Sequence, residues 1–152
     1  MHRTDSDHRK TSDVPAGFPF RGVSMLPLLK EGKDEVLLGD CGDRAALSVG
    51  EVILFDRGGE QVLHRIIRVE TEPSSGRTVY EVRGDNCMGS DRVFPEQILA
   101  RMTGYVRDGR IVRTEDAGYR KYVKRLLAQS PRGHRLRVRL RAYGRKIASF
   151  LK

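Results

Sequence analysis

The sequence predicts a mostly β body that is followed by two helices. Between residues 34 and 113, short runs of aliphatic and β-branched residues alternate with turns that contain Gly, Asp or Ser, which is typical of antiparallel sheets. From residue 116 onward, apolar residues instead recur at spacings of three and four, which is typical of amphipathic helices. A chain of 152 residues is long enough for one domain with a modest core.

Four strands and one hairpin are predicted in the body. The strands cover 34–39, 51–55, 62–70 and 78–84, and the hairpin covers 104–113 with its turn at Asp108-Gly109. In the third strand, alternation places Val62, His64 and Ile66 on one face, and Leu63, Ile67 and Val69 on the other. The segment FPFRGVSMLPLL at 18–29 contains two prolines and a glycine, and it predicts an irregular loop.

The two predicted helices carry most of the positive charge. The first follows Tyr119, Tyr122, Val123, Leu126 and Leu127 and is broken by Pro131 and Gly133; the second uses Leu136, Leu140, Tyr143, Ile147, Phe150 and Leu151. Residues 116–152 hold twelve Lys and Arg against one acid, Asp116. Together with the predicted strands, this charge distribution predicts three parts of the chain. They are a disordered N-terminal segment (1–17), a body (18–115) and a basic helical tail (116–152).

The composition argues against several classes of protein. No run of 18 apolar residues is long enough to cross a membrane, and the polar start resembles no secretion signal, so a cytoplasmic location is expected. Cys41 and Cys87 are too few for a disulfide framework, and we expect them to be thiols. The histidines other than His64 fall in the predicted tails, so we expect no metal site and no cofactor.

Three places in the sequence carry residues suited to chemistry. Ser24 lies in the loop, where Gly22 permits a close backbone approach; His64 lies in an apolar strand; and Asp85 and Asp91 lie in RGDNCMGSD. Taken singly, each has an ordinary structural explanation as a solvated serine, a core histidine or a turn aspartate. Taken together, they supply a nucleophile, a base and a carboxylate that orients the base.

Four segments resemble, in order, the motifs of type I signal peptidases and the related self-cleaving repressors. They are GVSMLPLL, VGEVILF with Glu51 in the acidic position, VLHRIIRVE and RGDNCMGSDR, all within 20–92. Typical bacterial enzymes carry Lys before Arg in the third motif, whereas the archaeal, endoplasmic-reticulum and sporulation-type branch carries His, as His64-Arg65 does here. The stretch 93–113 fits the closing strands of that family.

The resemblance implies a coiled β-sheet catalytic fold and a serine endopeptidase that cleaves an extended peptide or precursor protein. Ser24 would be the nucleophile and His64 its base, with Asp91, or failing it Asp85, orienting the imidazole. Some family members have a hydroxyl residue where Gly22 stands. An oxyanion here would therefore rely on backbone N–H groups of this loop, including that of Ser24.

The sequence departs from the family at two points. No membrane helix precedes the nucleophile motif, and Cys87 stands where a second Asn often follows Gly-Asp-Asn. Because no membrane helix precedes the motif, the sequence does not support a preprotein, the usual substrate of the family, as the substrate of this chain. The alternative function is a non-catalytic module of the same fold that binds a peptide or an anionic surface.

The tail at 134–152 allows two interpretations. An apolar stripe flanked by arginines suits the surface of an anionic membrane, which would make the protein peripheral there. Alternatively, the stripe packs on the β body and the arginines are solvated. Nucleic-acid binding is less favoured because the tail contains no recognised nucleic-acid motif. The sequence does not indicate an oligomeric state.

Overall fold

The computed structural model describes residues 17–150, so the predicted disordered segment lies outside the described residues except for Gly17. Within this range the chain forms one antiparallel sheet of eight strands and two C-terminal helices, which confirms the mostly β prediction. The strands are β1 (Phe18–Pro19), β2 (Asp34–Gly39), β3 (Val52–Arg57), β4 (Glu60–Thr71), β5 (Thr78–Arg83), β6 (Asp91–Val93), β7 (Ile98–Arg107) and β8 (Arg110–Arg113). A short 3₁₀ turn, Pro95–Gln97, precedes β7, and the helices are α1 (Ala117–Leu127) and α2 (Pro131–Phe150).

The strand order places β4 near the centre of the sheet. Strands follow one another as β1-β2-β7-β3-β4-β5-β6, and β8 pairs with β7 beside this path. The hairpin of β7 and β8 turns at Asp108-Gly109, where both residues have positive φ angles of 50° and 73°, as predicted. The first strand of this hairpin begins at Ile98, well before the predicted start, because it also pairs with β2 and β3.

The alternation predicted for β4 holds only as far as Ile66. Val62 and Ile66 pack in one core cluster, and Leu63 packs in a second cluster on the opposite face. A register irregularity between Ile66 and Arg68 then interrupts the pairing with β5. Val69 lies beyond this irregularity and is 42% exposed, unlike Leu63, with which alternation grouped it.

The loop at 20–29 is irregular, as expected, but it is firmly anchored. Met25 and Leu29 are fully buried, and both belong to the core cluster that contains Leu63 of β4 and Tyr119 of α1. Since Met25 directly follows Ser24, burial of the methionine fixes the position of the serine at the edge of the core.

The position of Gly133 differs from the prediction. Gly133 lies within α2 and does not break a helix. Pro131 occupies the first turn, where its missing N–H costs nothing, and the Ser130 hydroxyl accepts the N–H of Gly133 at 3.1 Å. No helix in residues 17–150 is long and apolar enough to cross a membrane, and Cys41 and Cys87 are free thiols.

Helix α2 packs on the body by a face that was not predicted. His134 and Val138 are buried, whereas Leu136 and Leu140 are 59% and 63% exposed. The interpretation in which the apolar stripe packs on the β body is therefore wrong. Polar contacts of His134 and Arg141 with the body set the rotation of the helix instead.

Candidate active site

A groove of about 900 Å³ runs between the loop, β4 and the segment that follows β5. Ser24 and His64 both line it, together with Asn86 and Cys87. Its walls are otherwise largely apolar and include Phe18, Phe20, Val36, Leu38, Leu54 and Leu63. A concave apolar site with a few convergent polar groups is the usual form of a binding or catalytic site.

Asn86 holds the backbone on both sides of the Ser24 side chain. Its N–H donates to the Ser24 carbonyl at 2.7 Å, and its side-chain amide donates to the Val23 carbonyl at 3.1 Å. Gly22 has a φ of +90°, and in the described chain no atom outside the adjoining residues lies within 4 Å of where a Cβ would stand. A glycine is favoured at position 22 by backbone conformation, therefore, and not by the close approach that was expected.

The close approach occurs at Gly84 instead. A Cβ at this position would lie 2.6 Å from the Ser24 carbonyl oxygen and 3.0 Å from Nε2 of His64. The backbone of Ser24 and the imidazole of His64 therefore both approach Gly84 closely. A larger residue would force the two apart.

His64 lies where burial favours the neutral form of its imidazole. The residue is 6% exposed, and burial lowers the pKa of the imidazole below its ordinary 6.5, although the nearby charge of Asp91 opposes this shift. Nε2 lies at Gly84, beside the Ser24 backbone, while Nδ1 lies 3.5 Å from Oδ2 of Asp91. Nδ1 is a buried polar atom without a well-formed hydrogen bond.

Asp91 lies at the edge of the site as the first residue of β6. Its side chain is 32% exposed, and Oδ2 lies between Nδ1 of His64 and Nη1 of Arg57, which is 3.4 Å away. The carboxylate therefore keeps access to solvent and accepts one long hydrogen bond, from Arg57. A shift of a few tenths of an ångström would bring it into hydrogen-bond distance of the imidazole.

Asp85 is occupied elsewhere. Both its oxygens accept hydrogen bonds from the fully buried Arg65, at 2.8 and 2.7 Å, and the Tyr122 hydroxyl donates to Oδ2 at 2.9 Å. Burial alone would lower the pKa of Arg65, but its hydrogen bonds and charge pairing with Asp85 outweigh burial and raise it. Burial and the charge of Asp85 raise the pKa of Tyr122, which keeps the phenol protonated as a donor.

The structure thus brings together Ser24, His64 and Asp91, with Gly22 at the start of the serine turn. It does not bring Asp85 to the imidazole through any hydrogen bond. Among residues 17–150, the Ser24 hydroxyl forms no hydrogen bond with His64. Nor does the Ser24 N–H have an acceptor in the described chain, so it is available to an oxyanion.

Helix α2 supports both loops of the site, which the sequence did not reveal. Nε2 of His134 donates to the Cys87 carbonyl at 2.7 Å, and burial lowers the pKa of this histidine, which favours the neutral form. Arg141 donates to the Leu26 carbonyl at 3.4 Å and to the Asn86 side-chain oxygen at 3.3 Å. The seven-residue spacing of His134 and Arg141 indicates that they share one face of the helix. The apolar residues of the same helix form a more regular row, and that row indicates a different face.

Comparison with protein-family models, with curated proteins and with solved structures gives no match for this chain.

Proposed function

We propose that this chain is a serine endopeptidase in which Ser24 is the nucleophile and His64 its general base. The observation that carries the proposal is the position of His64. Its Nε2 lies beside the serine backbone, its Nδ1 lies beside a carboxylate, and burial keeps the ring neutral, so it can accept a proton.

We further propose that the protein belongs with the His-base signal peptidases and adopts their coiled β-sheet fold. Support comes from the place of the four motifs in the sheet. The first is the anchored loop, the second leads into β3, the third lies in β4, and the fourth joins β5 to β6. Three of them line the groove through Ser24, His64 and Asn86, and Leu54 of the second lines it from β3.

The proposed reaction begins when Nε2 of His64 takes the Ser24 proton as Oγ attacks a peptide carbonyl. Asp91 stabilises the imidazolium that forms, and the Ser24 N–H stabilises the oxyanion. The imidazolium then gives its proton to the leaving amine, which leaves an acyl-enzyme on Oγ. A water activated by the same histidine releases the acyl group and restores the serine.

An extended peptide or precursor segment is the substrate class that fits the groove. Strand β1, with both its residues on the groove wall, lies at the edge of the sheet. An edge strand offers unpaired backbone groups to a peptide that binds in extended form. The apolar walls would then accept alternate side chains.

Covalent labelling tests the proposal. A fluorophosphonate probe should label the wild-type protein at Ser24, and peptides released from a precursor library should be detectable by mass spectrometry. Ser24→Ala should lose both signals, whereas the matched control Ser90→Ala should keep them because the Ser90 hydroxyl donates to Glu81 and does not line the groove. Peptide binding without labelling or cleavage would instead support the non-catalytic module.

A further inference from the structure

Helix α2 has two opposite faces with different roles. The face on the body contains His134, Val138 and Arg141, which are buried or half-buried. At 100° per residue, the apolar residues on the opposite side form a second face. This outer stripe consists of Leu136, Leu140, Tyr143 and Ile147, whose exposed fractions are 59%, 63%, 67% and 46%.

The outer stripe is a continuous apolar surface, because its members recur at spacings of four, three and four. Single exposed apolar side chains are ordinary on protein surfaces, but a contiguous row along one helix indicates an interaction site. Within residues 17–150, the other elements do not cover it, since the body is contacted by the other side of the helix.

The charge around the stripe is of one sign. Helix α2 carries seven Lys and Arg and no Asp or Glu. On the helical wheel, Arg139 and Lys146 border one side of the stripe and Arg137 borders the other. All three side chains are exposed, so they can contact a partner that covers the stripe.

We propose that α2 binds this protein to the surface of an anionic lipid bilayer, with the outer stripe inserted among the acyl chains and the bordering cations at the headgroups. Charge complementarity selects an anionic partner, and the four apolar side chains select one with an apolar interior. A nucleic acid would use the cations but would leave the stripe in water. The inference does not depend on the proposed peptidase activity, because none of these residues lies in the catalytic machinery.

The binding face also has a defined relation to the groove. Arg145 of the same helix lines the groove from the side of α2 that faces away from the stripe. A bound bilayer would therefore be separated from the groove by about the 10 Å thickness of a helix. Peptide segments that emerge from the headgroup layer would then lie within reach of the groove.

Vesicle sedimentation of the full chain tests the proposal. The protein should pellet with vesicles of phosphatidylcholine containing phosphatidylglycerol, not with phosphatidylcholine alone, and added salt should release it. Leu136→Gln with Leu140→Gln should weaken binding at least tenfold. The control, Val69→Gln with Leu99→Gln, removes two exposed apolar residues elsewhere and should leave binding unchanged.

A fluorescence measurement reports insertion directly. The chain contains no Trp, so Tyr143→Trp places a single reporter in the outer stripe. Its emission should shift to the blue on anionic vesicles and stay unshifted on duplex DNA. The proposal is overturned by absence of binding at low salt, by equal binding to neutral vesicles, or by equal binding of the stripe variant with unchanged thermal stability.

Discussion

Two neighbours in β4, His64 and Arg65, each face one carboxylate, and the two pairs are built in opposite ways: Asp85 follows β5, and Asp91 begins β6. Arg65 and Asp85 are both buried, and each has hydrogen bonds to the other and to further partners. His64 and Asp91 meet at 3.5 Å at the edge of a groove, and Nδ1 of the histidine has no complete hydrogen bond.

The difference indicates which pair stabilises the fold and which pair is available for chemistry. A fully satisfied buried ion pair resists change, because either partner left alone would be a buried unpaired charge. A neutral imidazole with an incomplete contact can accept a proton, and a nearby carboxylate then stabilises the imidazolium that forms. Alternation along β4 separates the two roles, since it directs adjacent side chains to opposite faces of the sheet.

The largest expected effect is a loss of catalysis without a loss of folding. Ser24→Ala and His64→Ala should each lower kcat on the order of a million-fold, and the double variant should lose little more, because the two residues act as a unit. Circular dichroism melts should stay close to wild type for Ser24→Ala. Additive losses in the double variant would contradict a shared proton-transfer step.

The second effect contrasts the two carboxylates directly. Asp85→Asn should destabilise the fold by about 3–5 kcal/mol, because Arg65 would keep a buried charge without its counter-ion. Asp91→Asn should leave stability nearly unchanged and lower kcat by about 10²–10⁴, the range expected when an orienting carboxylate is lost. Urea denaturation and single-turnover kinetics measure the two quantities. The reverse pattern would exchange the assigned roles.

The smallest effect is a shift of the pH profile. Because the base must be neutral, kcat/KM should rise with pH through a pKa below 6.5 and level near neutrality. The charge of Asp91 raises this pKa and that of Arg57 lowers it. Asp91→Asn should therefore move the rise to lower pH, and Arg57→Gln should move it to higher pH. A rise that begins only in alkaline solution would exclude His64 as the base.

Sequence patterns were most informative where local spacing decides the structure. The bounds of β2 and the turn at Asp108-Gly109 follow from alternation and from the preference of that dipeptide for positive φ. Alternation could not reveal the irregularity after Ile66, nor the very short β1 and β6. Those features depend on pairing with distant strands, which a local pattern does not contain.

The site was predictable in its residue types and less so in its supports. Ser24, His64 and Asp91 came from the motifs, and the sequence already favoured Asp91 over Asp85 near the imidazole. The bracing by Asn86, His134 and Arg141 was missed, because it joins positions far apart in the chain. The apolar stripe predicted the helix α2 correctly but left open whether that stripe packs on the body, since periodicity identifies an apolar side and not what covers it.

The bracing of the site by α2 has a consequence for biosynthesis. The ribosome releases the serine loop and the segment 84–91 well before it releases His134 and Arg141, which contact Cys87, Leu26 and Asn86. During translation, the proposed catalytic residues would therefore emerge without these contacts. If the proposed activity needs these contacts, it would begin only after the end of the chain has folded back onto the two loops.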